Sequence, residues 1–264
     1  MVPEITVTSL GEFMVEVENT STVNNIIWYR GASNINYKLL PTLYRHPTIT
    51  DSIDLINQEN EILKRFKQRS LPYITRTTTD DWDFFFLMQH FGVPTRLLDW
   101  TENPFVALYF ALSGAATDTH GNFTNDVIVW EMVPEHWNTK SLEDISITTV
   151  VDPDDPLMSG YVNTKSNITR IRKQSVAVYG NYNSVRIVAQ KGAFVLFGKE
   201  MIAMEDVYVR DMYPPDCLKK IIIPTTHIGS MMSSLSRIGI TDSVIFPDLE
   251  GLAKEIKRAF KFKV

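Results

Sequence analysis

Polar side chains with binding and catalytic chemistry crowd into the segment Gln89–Asn103, between two apolar stretches that are predicted to form helices. A loop flanked by buried helices is a natural place for binding groups. Each side chain also has a structural explanation, such as a helix cap or an ion pair between Arg96 and Asp99. A loop that needed only closure would not require an imidazole, a guanidinium, an amide and a carboxylate together. The groups concerned are Gln89, His90, Thr95, Arg96, Asp99, Thr101, Glu102 and Asn103.

Arg30 and Gly31 follow the apolar, β-prone run Ile26–Tyr29, which predicts a buried strand. An arginine at the end of such a strand can direct its planar guanidinium into a cleft, where its geometry suits phosphate oxygens. It can equally pair with a local carboxylate. A glycine beside it would let a ligand approach the backbone closely, because it has no Cβ.

A third polar group follows later in the chain, where Arg186 and Gln190 lie four residues apart. The segments Val185–Ala189 and Ala193–Phe197 are predicted to be extended, which is compatible with a β-hairpin that turns at Gly192. The same residues are compatible with Gln190 as a hydrogen-bonding side chain on the rim of a cleft. Spacing alone does not separate these two interpretations.

Several other kinds of site lack support in the sequence. The five histidines are scattered and there is a single cysteine, so no spacing typical of metal ligands is present and we expect no metal ion. Phosphate-cradling loops of the GxxxxGK[ST] and GxGxxG kinds are missing, and no serine lies in a GxSxG motif. Asp80, Asp81 and Asp83 coincide with a predicted helix N-terminus, where acidic groups favour the helix dipole.

The composition is that of an ordinary globular protein, with 264 residues of which 44% are hydrophobic and 22% charged. The formal net charge of −5 argues against a large basic face for duplex nucleic acid. The N-terminus does not read as a signal peptide, and the apolar helical stretch around Phe105–Leu112 is too short to span a bilayer. The single cysteine, Cys217, fits a reducing compartment. We therefore expect a soluble, cytoplasmic protein that does not associate with a membrane.

Short strands and helices alternate irregularly, which predicts one α+β domain over residues 1–264, with mixed or antiparallel strands packed with helices. The segment His136–Gln174 has weak periodicity and contains prolines, and we interpret it as an insertion or mobile loop region. Predicted helices run from Leu10 to about Val17, onward from Asp51, from Asp81 to about Phe91, from Pro104 to about Ala116, from Thr225 to about Gly239, and onward from Asp248; further strands are Val127–Val133 and Lys220–Ile223.

The segments that carry these groups resemble the FRG domain family, which occurs in bacteria and their phages. The motif QHFGVPTRLLDWTENPFVALYFA at residues 89–111 is similar to the central motif of the family over its whole run. The resemblance extends over nearly the whole chain, so it implies a single FRG domain. The other segments that carry it are Trp28–Gly31, Tyr37–Arg45, Arg186–Phe194 and Gly239–Leu252.

A fainter resemblance is to ADP-ribosyltransferases. Arg30 and Gly31, after the first predicted strand, look like the NAD-binding arginine of that family, and residues 97–111 are similar to its serine/threonine motif and the following helix. Gln190 falls near the position of the catalytic glutamate. The resemblance implies an ADP-ribosyltransferase-like core that uses NAD as a substrate, in a bacterial toxin or phage-defence effector. Its acceptor, whether protein, nucleic acid or nucleotide, is not determined by the sequence.

This second resemblance also implies residue roles, but the chain departs from it at one position. Gln190 is an amide and cannot act as a charged stabiliser, so Asp99 or Glu200 takes that role, or the activity differs, or the site only binds. The alternatives are a non-catalytic module that binds a nucleotide or partner, and a hydrolase that uses Asp99 and His90. The implied catalytic residues are Arg30, His90, Asp99 and Gln190, and the implied NAD-binding residues are Arg30, Gly31, Gln89, Thr95, Arg96, Thr101, Tyr109 and Phe194.

Overall fold

A computed structural model describes residues 1–21, 26–74, 80–143, 150–161, 170–181 and 185–262 of the protein. Within these ranges seven strands form one mixed sheet in the order β1-β7-β4-β2-β3-β6-β5, in which β1 and β7 are parallel and the other neighbours are antiparallel. The strands are β1 (Glu4–Thr6), β2 (Trp28–Ala32), β3 (Leu97–Thr101), β4 (Val127–Met132), β5 (Val176–Tyr179), β6 (Gly192–Leu196) and β7 (Leu218–Ile223).

Helices cover both faces of this sheet, as expected for an α+β fold. Leu108, Val129 and Ile221 are buried where α4 (Pro104–Ser113) and α8 (Thr225–Arg237) meet β4 and β7, while Trp28 and Trp130 are buried on the opposite face. None of the described helices is long and apolar enough to cross a membrane. The helices are α1 (Leu10–Ser21), α2 (Ser52–Ser70), α3 (Asp81–His90), α4 (Pro104–Ser113), α5 (Pro134–Leu142), α6 (Val185–Gln190), α7 (Met204–Arg210), α8 (Thr225–Arg237), α9 (Asp242–Ile245) and α10 (Leu249–Ala259).

The sheet opens between β2 and β3. The strand β2 pairs with β4 along its whole length, and β3 pairs with β6 in the same way. In contrast, among the described residues β2 and β3 pair at one position, Tyr29 with Thr101. Arg30 and Asp99 lie beyond this point, on strands that have begun to separate. The polar segment between the two helices, in which the sequence predicts only Thr95–Leu98 to be extended, contains the strand β3, and that strand forms one edge of the opening.

Helix α4 is the central helix that the sequence predicts. The Asn103 side chain accepts a hydrogen bond from the Phe105 amide at 3.0 Å, and Pro104 occupies the first turn, so the start of the helix is fixed locally. The helix then packs against β2. A Cβ at Gly31 would overlap the Ala107 carbonyl oxygen. Glycine is needed here because α4 fills the space on this side of the strand. Gly31 also lines the cleft between β2 and β3, and the expectation that it admits a ligand to the backbone stays a prediction.

Two segments differ from their predicted secondary structure. Val185–Gln190 is the helix α6, so the predicted extended segment Val185–Ala189 is wrong, and of the two interpretations left open the hairpin at Gly192 is excluded. Lys191, directly after the helix, adopts a left-handed φ of 44°. The β-branched residues of this segment favour a strand, but the helix buries Ile187 and contacts α9, and this packing outweighs the local preference.

The region His136–Gln174, interpreted as an insertion or mobile loop, contains regular structure where it is described. It includes most of α5 and a 3-10 helix at Pro156–Gly160. The amide side chain of Asn138 accepts from the Ala177 amide at 2.7 Å and donates to the Ala177 carbonyl at 2.9 Å, which ties α5 to β5. Residues 144–149 and 162–169 lie outside the described residues.

Candidate functional site

A cleft of about 590 Å³ lies at the opening between β2 and β3. Its walls come from these strands, from the ends of α3 and α6, and from the segment before α2. These walls bring together groups that are far apart in sequence. The cleft is lined by Arg30 from the first motif, Asp99 from the central motif and Gln190 from the later motif. Residues of all three motifs thus line one cleft, and their roles there stay predictions.

Arg30 bridges the two separating strands. Its Nη1 atom donates to the backbone carbonyl of Asp99 at 2.5 Å and lies 3.9 Å from the carboxylate Oδ2 of the same residue. Burial lowers the pKa of Arg30, the Asp99 carboxylate raises it, and nearby Arg45 lowers it further. The guanidinium still carries its charge, because an arginine is not deprotonated in proteins. It is a partly buried cation, with 26% of its side chain exposed, and the Asp99 carboxylate lies at the outer limit of an ion pair.

A short relay of hydrogen bonds orients the Asp99 carboxylate. The Gln89 side chain donates through Nε2 to Asp99 Oδ2 at 2.7 Å, and its Oε1 accepts from Thr95 Oγ1 at 2.5 Å. Thr95 is fully buried and does not line the cleft. Its predicted contact with a nucleotide is wrong, and it acts instead by fixing the direction in which Gln89 presents its amide.

The helical conformation of α6 explains why Arg186 and Gln190 both reach the cleft, since residues four apart share one face of a helix. Gln190 donates through Nε2 to the Ile245 carbonyl at 3.1 Å, and its own backbone carbonyl accepts from Thr101 Oγ1 at 2.5 Å. His90, at the end of α3, faces the same space. Burial lowers the pKa of His90, and the charge of Arg186 lowers it further, so the imidazole is neutral at pH 7.

Arg96 is not part of the cleft. Its side chain is 1% exposed, and its Nε atom donates to Glu59 Oε2 at 2.7 Å. The remaining guanidinium nitrogens donate to the backbone carbonyls of Phe197 and Tyr161 at 3.2 and 2.9 Å. The predicted roles of Arg96, in nucleotide binding or in an ion pair with Asp99, are both wrong. A buried cation needs a carboxylate partner, and Glu59 on α2 supplies it.

Two further expectations fail because of helix and strand geometry. Tyr109 of α4 is buried and does not line the cleft; its hydroxyl donates to Asp242 Oδ1 at 2.6 Å, and the neighbouring Phe110 lines the cleft instead. Glu200 does not line the cleft either, since its carboxylate pairs with Arg210 at 2.6 Å and Lys173 at 3.2 Å. Glu200 therefore does not replace a catalytic carboxylate. Phe194 does line the cleft as predicted.

Lys38, Arg45 and Trp130 also line the cleft, although the sequence did not single them out as site residues. The two cations belong to the segment 37–45, which carries part of the family resemblance but has no regular spacing that would indicate a site. Trp130 lies on β4 in register with Arg30, so the pairing of β2 and β4 brings it there. A cross-strand neighbour of this kind cannot be found by spacing along the chain.

The cleft is lined mainly by positively charged side chains, although the chain as a whole carries a net negative charge. Four cations and, among the described residues that line it, a single carboxylate face this space, whereas the whole chain has a formal net charge of −5. In the described ranges, no group of three or more histidine, cysteine, aspartate or glutamate side chains is arranged to hold a metal ion. The arrangement suits an anionic ligand with an apolar or aromatic part. The charged residues concerned are Arg30, Lys38, Arg45, Arg186 and Asp99.

Comparison with protein families gives one match. The model of the FRG domain matches residues 25–120, a span that includes Arg30 and the segment Gln89–Asn103. Arg186 and Gln190, which complete the cleft, lie outside the matched span. No curated protein and no solved structure matches the chain.

Proposed function

We propose that this chain, which is an FRG domain family protein, binds NAD in the cleft between β2 and β3 and is an ADP-ribosyltransferase-like enzyme. The observation that carries the proposal is the charge of the cleft. Arg30 is a partly buried cation held 3.9 Å from the Asp99 carboxylate, and three further cations line the same space, of which Lys38 also pairs with Asp206 at 3.2 Å. Such a site stabilises a polyanion, because each charge-assisted hydrogen bond is stronger than a neutral one.

The arrangement suits the two parts of NAD in different ways. In this proposal Arg30 and Arg186, which both line the cleft, pair with the pyrophosphate, since guanidinium groups match phosphate oxygens with two parallel hydrogen bonds. Phe110 and Phe194 supply aromatic surface against which a nicotinamide or adenine ring can pack. Phe194 is itself held by Phe86, whose ring centroid lies 5.0 Å away, so this wall is rigid.

The reaction requires an anionic group near the ribose. The bond between the nicotinamide nitrogen and ribose C1′ breaks, its electron pair leaves with nicotinamide, and positive charge develops on the ribose, as in glycoside cleavage. Among the described residues that line the cleft, Asp99 is the one with a carboxylate, and in this proposal it stabilises the positive charge on the ribose. The acceptor nucleophile then bonds to C1′ and loses a proton, which neutral His90 can accept.

A second candidate function is a non-catalytic module that binds a nucleotide through the same cleft. The observation in its favour is Gln190, an amide at the position where the ADP-ribosyltransferase resemblance places a glutamate. Its Nε2 atom already donates a hydrogen bond to the Ile245 carbonyl at 3.1 Å. Both candidates require nucleotide binding, but only the first requires cleavage of the nicotinamide bond.

The test is a calorimetric titration of the full chain with NAD, with nicotinamide release followed in parallel by chromatography. Binding with release supports the transferase, and binding without release supports the non-catalytic module. Nicotinamide riboside, which lacks the phosphates, is the matched control ligand and is expected to bind at least tenfold more weakly. If NAD does not bind, the transferase proposal is wrong.

A further inference from the structure

Helix α10 is amphipathic, but it faces the protein with its polar side. Leu249, Leu252 and Ile256, followed by the capping residue Phe260, recur at spacings of three and four and so form one stripe along the helix. These side chains, here called the α10 stripe, are between 45% and 83% exposed. A surface helix ordinarily turns such a stripe towards the core. In the described part of the chain, no segment covers it.

Specific contacts fix α10 in this orientation. Gly251 is buried on the opposite side of the helix, where a Cβ would overlap the Phe246 carbonyl oxygen, so only glycine permits this close approach. Further along the same side, Arg258 donates through Nε to Asp242 Oδ2 at 2.8 Å. Asp242 also accepts from Tyr109 of α4, which joins α10 to the core. The helix therefore cannot rotate its apolar stripe inward without breaking these contacts.

The charges beside the stripe are self-complementary. Glu250 near the start of α10 and Lys257 near its end are seven residues apart, so they lie on the same flank of the helix. Glu250 pairs with Lys254 of its own helix at 2.7 Å, but its side chain is 75% exposed, so a lysine of a second copy can still approach it. When two copies of a helix pack face to face in antiparallel orientation about a two-fold axis, identical flanks meet. Glu250 of one copy then faces Lys257 of the other, twice per dimer. In a parallel arrangement the same flanks do not meet.

We propose that the α10 stripe is the contact surface for a second copy of this chain, and that the two copies form a two-fold dimer with antiparallel α10 helices. Removal of four large apolar side chains per copy from water supplies the driving force, and exposed apolar patches of this kind mark interaction sites. The Glu250–Lys257 pairs determine the relative orientation of the two helices, because in a parallel dimer Glu250 of one copy would not meet Lys257 of the other. This inference is independent of the ligand bound in the cleft.

The first test is the molar mass of the full chain in solution, measured by light scattering after gel filtration over a series of concentrations. Wild type is expected to be a dimer, and Ile256→Glu is expected to be a monomer with an unchanged circular dichroism spectrum. Val209→Glu is the matched control, because Val209 on α7 is as exposed as Ile256, at 49% against 50%. This variant should remain a dimer. A monomeric wild type, or a dimer that survives both Ile256→Glu and Leu252→Glu, would overturn the proposal.

The second test exchanges the flanking charges. Lys257→Glu and Glu250→Lys are each expected to raise the dissociation constant of the dimer at least tenfold, since each places like charges opposite one another. Combining the two substitutions restores opposite charges and should bring the constant back towards that of wild type. Failure of this rescue would exclude the antiparallel arrangement. A different outcome would be a monomeric wild-type chain that floats with vesicles containing anionic lipid, while the Ile256→Glu variant does not. In that case the α10 stripe binds membranes and the dimer proposal is wrong.

Discussion

The Arg30 guanidinium donates to the Asp99 backbone carbonyl at 2.5 Å, while the Asp99 carboxylate points away to 3.9 Å from the same nitrogen. This geometry holds the two strands of the opening together through the backbone and leaves both side-chain charges available to the cleft. Gln89 completes it by donating to the carboxylate at 2.7 Å. A cation and a carboxylate are thus presented side by side without neutralising one another fully, and the predictions for binding and turnover follow from this arrangement.

Replacing Arg30 tests its role in binding. Arg30→Ala is expected to weaken NAD binding ten- to a hundredfold, because hydrogen bonds to a charged group contribute about 1.5–3 kcal/mol. Arg30→Lys should restore part of the affinity, since an ammonium group lacks the planar arrangement of donors. Calorimetric titration measures both. Arg237→Ala, at an exposed arginine of α8, is the control and should bind as wild type does. Equal affinities for all three variants would contradict the prediction.

Asp99→Asn separates binding from turnover. The substitution preserves shape and removes the charge, so NAD affinity should change less than threefold. Nicotinamide release should fall by about a hundredfold, which is typical for the loss of one preorganised electrostatic group. Single-turnover measurements on wild type and variant distinguish the two effects. Asp126→Asn, at a residue that does not line the cleft, is the control for the loss of one charge. Undiminished release by Asp99→Asn would show that another group stabilises the ribose.

Arg96 is predicted to act on stability and not on binding. Arg96→Met leaves the Glu59 carboxylate buried without its partner, which should lower the free energy of unfolding by about 3–5 kcal/mol. Combining it with Glu59→Leu removes the second charge and should recover part of this loss. Urea unfolding of the three proteins provides the values. The result would be inconsistent with the structure if Arg96→Met kept wild-type stability and lost NAD affinity.

Gly31→Ala tests the approach of α4 to β2. The added methyl group would overlap the backbone of Ala107, which cannot rotate away as a side chain would, so a loss of at least about 1–3 kcal/mol is expected. Gly11→Ala is the matched control on α1. A Cβ there meets only the Ser9 hydroxyl at 3.9 Å, and its melting temperature should be unchanged or higher. A Gly31→Ala protein with the same melting temperature as wild type would argue against this packing of α4 on β2.

The stability of the fold should depend on pH through Glu131 of β4. Burial raises the pKa of Glu131 from 4.5 to about 7, partly opposed by a hydrogen bond with Thr20. The folded state therefore holds this proton more tightly than the unfolded state does. The resulting stability is complete below about pH 4.5, declines as pH rises to about 7, and totals about 3 kcal/mol.

Glu131→Gln removes this titration. Its free energy of unfolding, measured in urea from pH 5 to pH 8, should decline less than that of wild type, and the variant should be the more stable protein at pH 8. Glu18→Gln, at an exposed position of α1, should follow the wild-type curve. Parallel curves for wild type and Glu131→Gln would show that this carboxyl group ionises at its usual pH.

Local patterns in the sequence determined the elements that depend on neighbouring residues. Asn103 and Pro104 begin α4 because a side-chain cap and a proline ring act within one turn. Gly92, with a left-handed φ of 72°, follows the end of α3 for a similarly local reason. The sequence also predicted that Arg30 lies beside the central motif, although Arg30 is the middle residue of β2 and does not end the strand as expected.

Only the tertiary structure decided which of these polar residues face the cleft. Arg96 and Asp99 are three residues apart, yet one is buried against Glu59 and the other is presented to solvent, because successive side chains of an extended chain point to opposite faces and each face has a different neighbour. Likewise, the helix at Val185–Gln190 forms against its local β preference because burial of Ile187 against the fold outweighs it. Caps and turn residues act within one turn of the chain, whereas the partner, burial and orientation of a side chain, and in α6 even the backbone conformation, depend on segments that are distant along the chain.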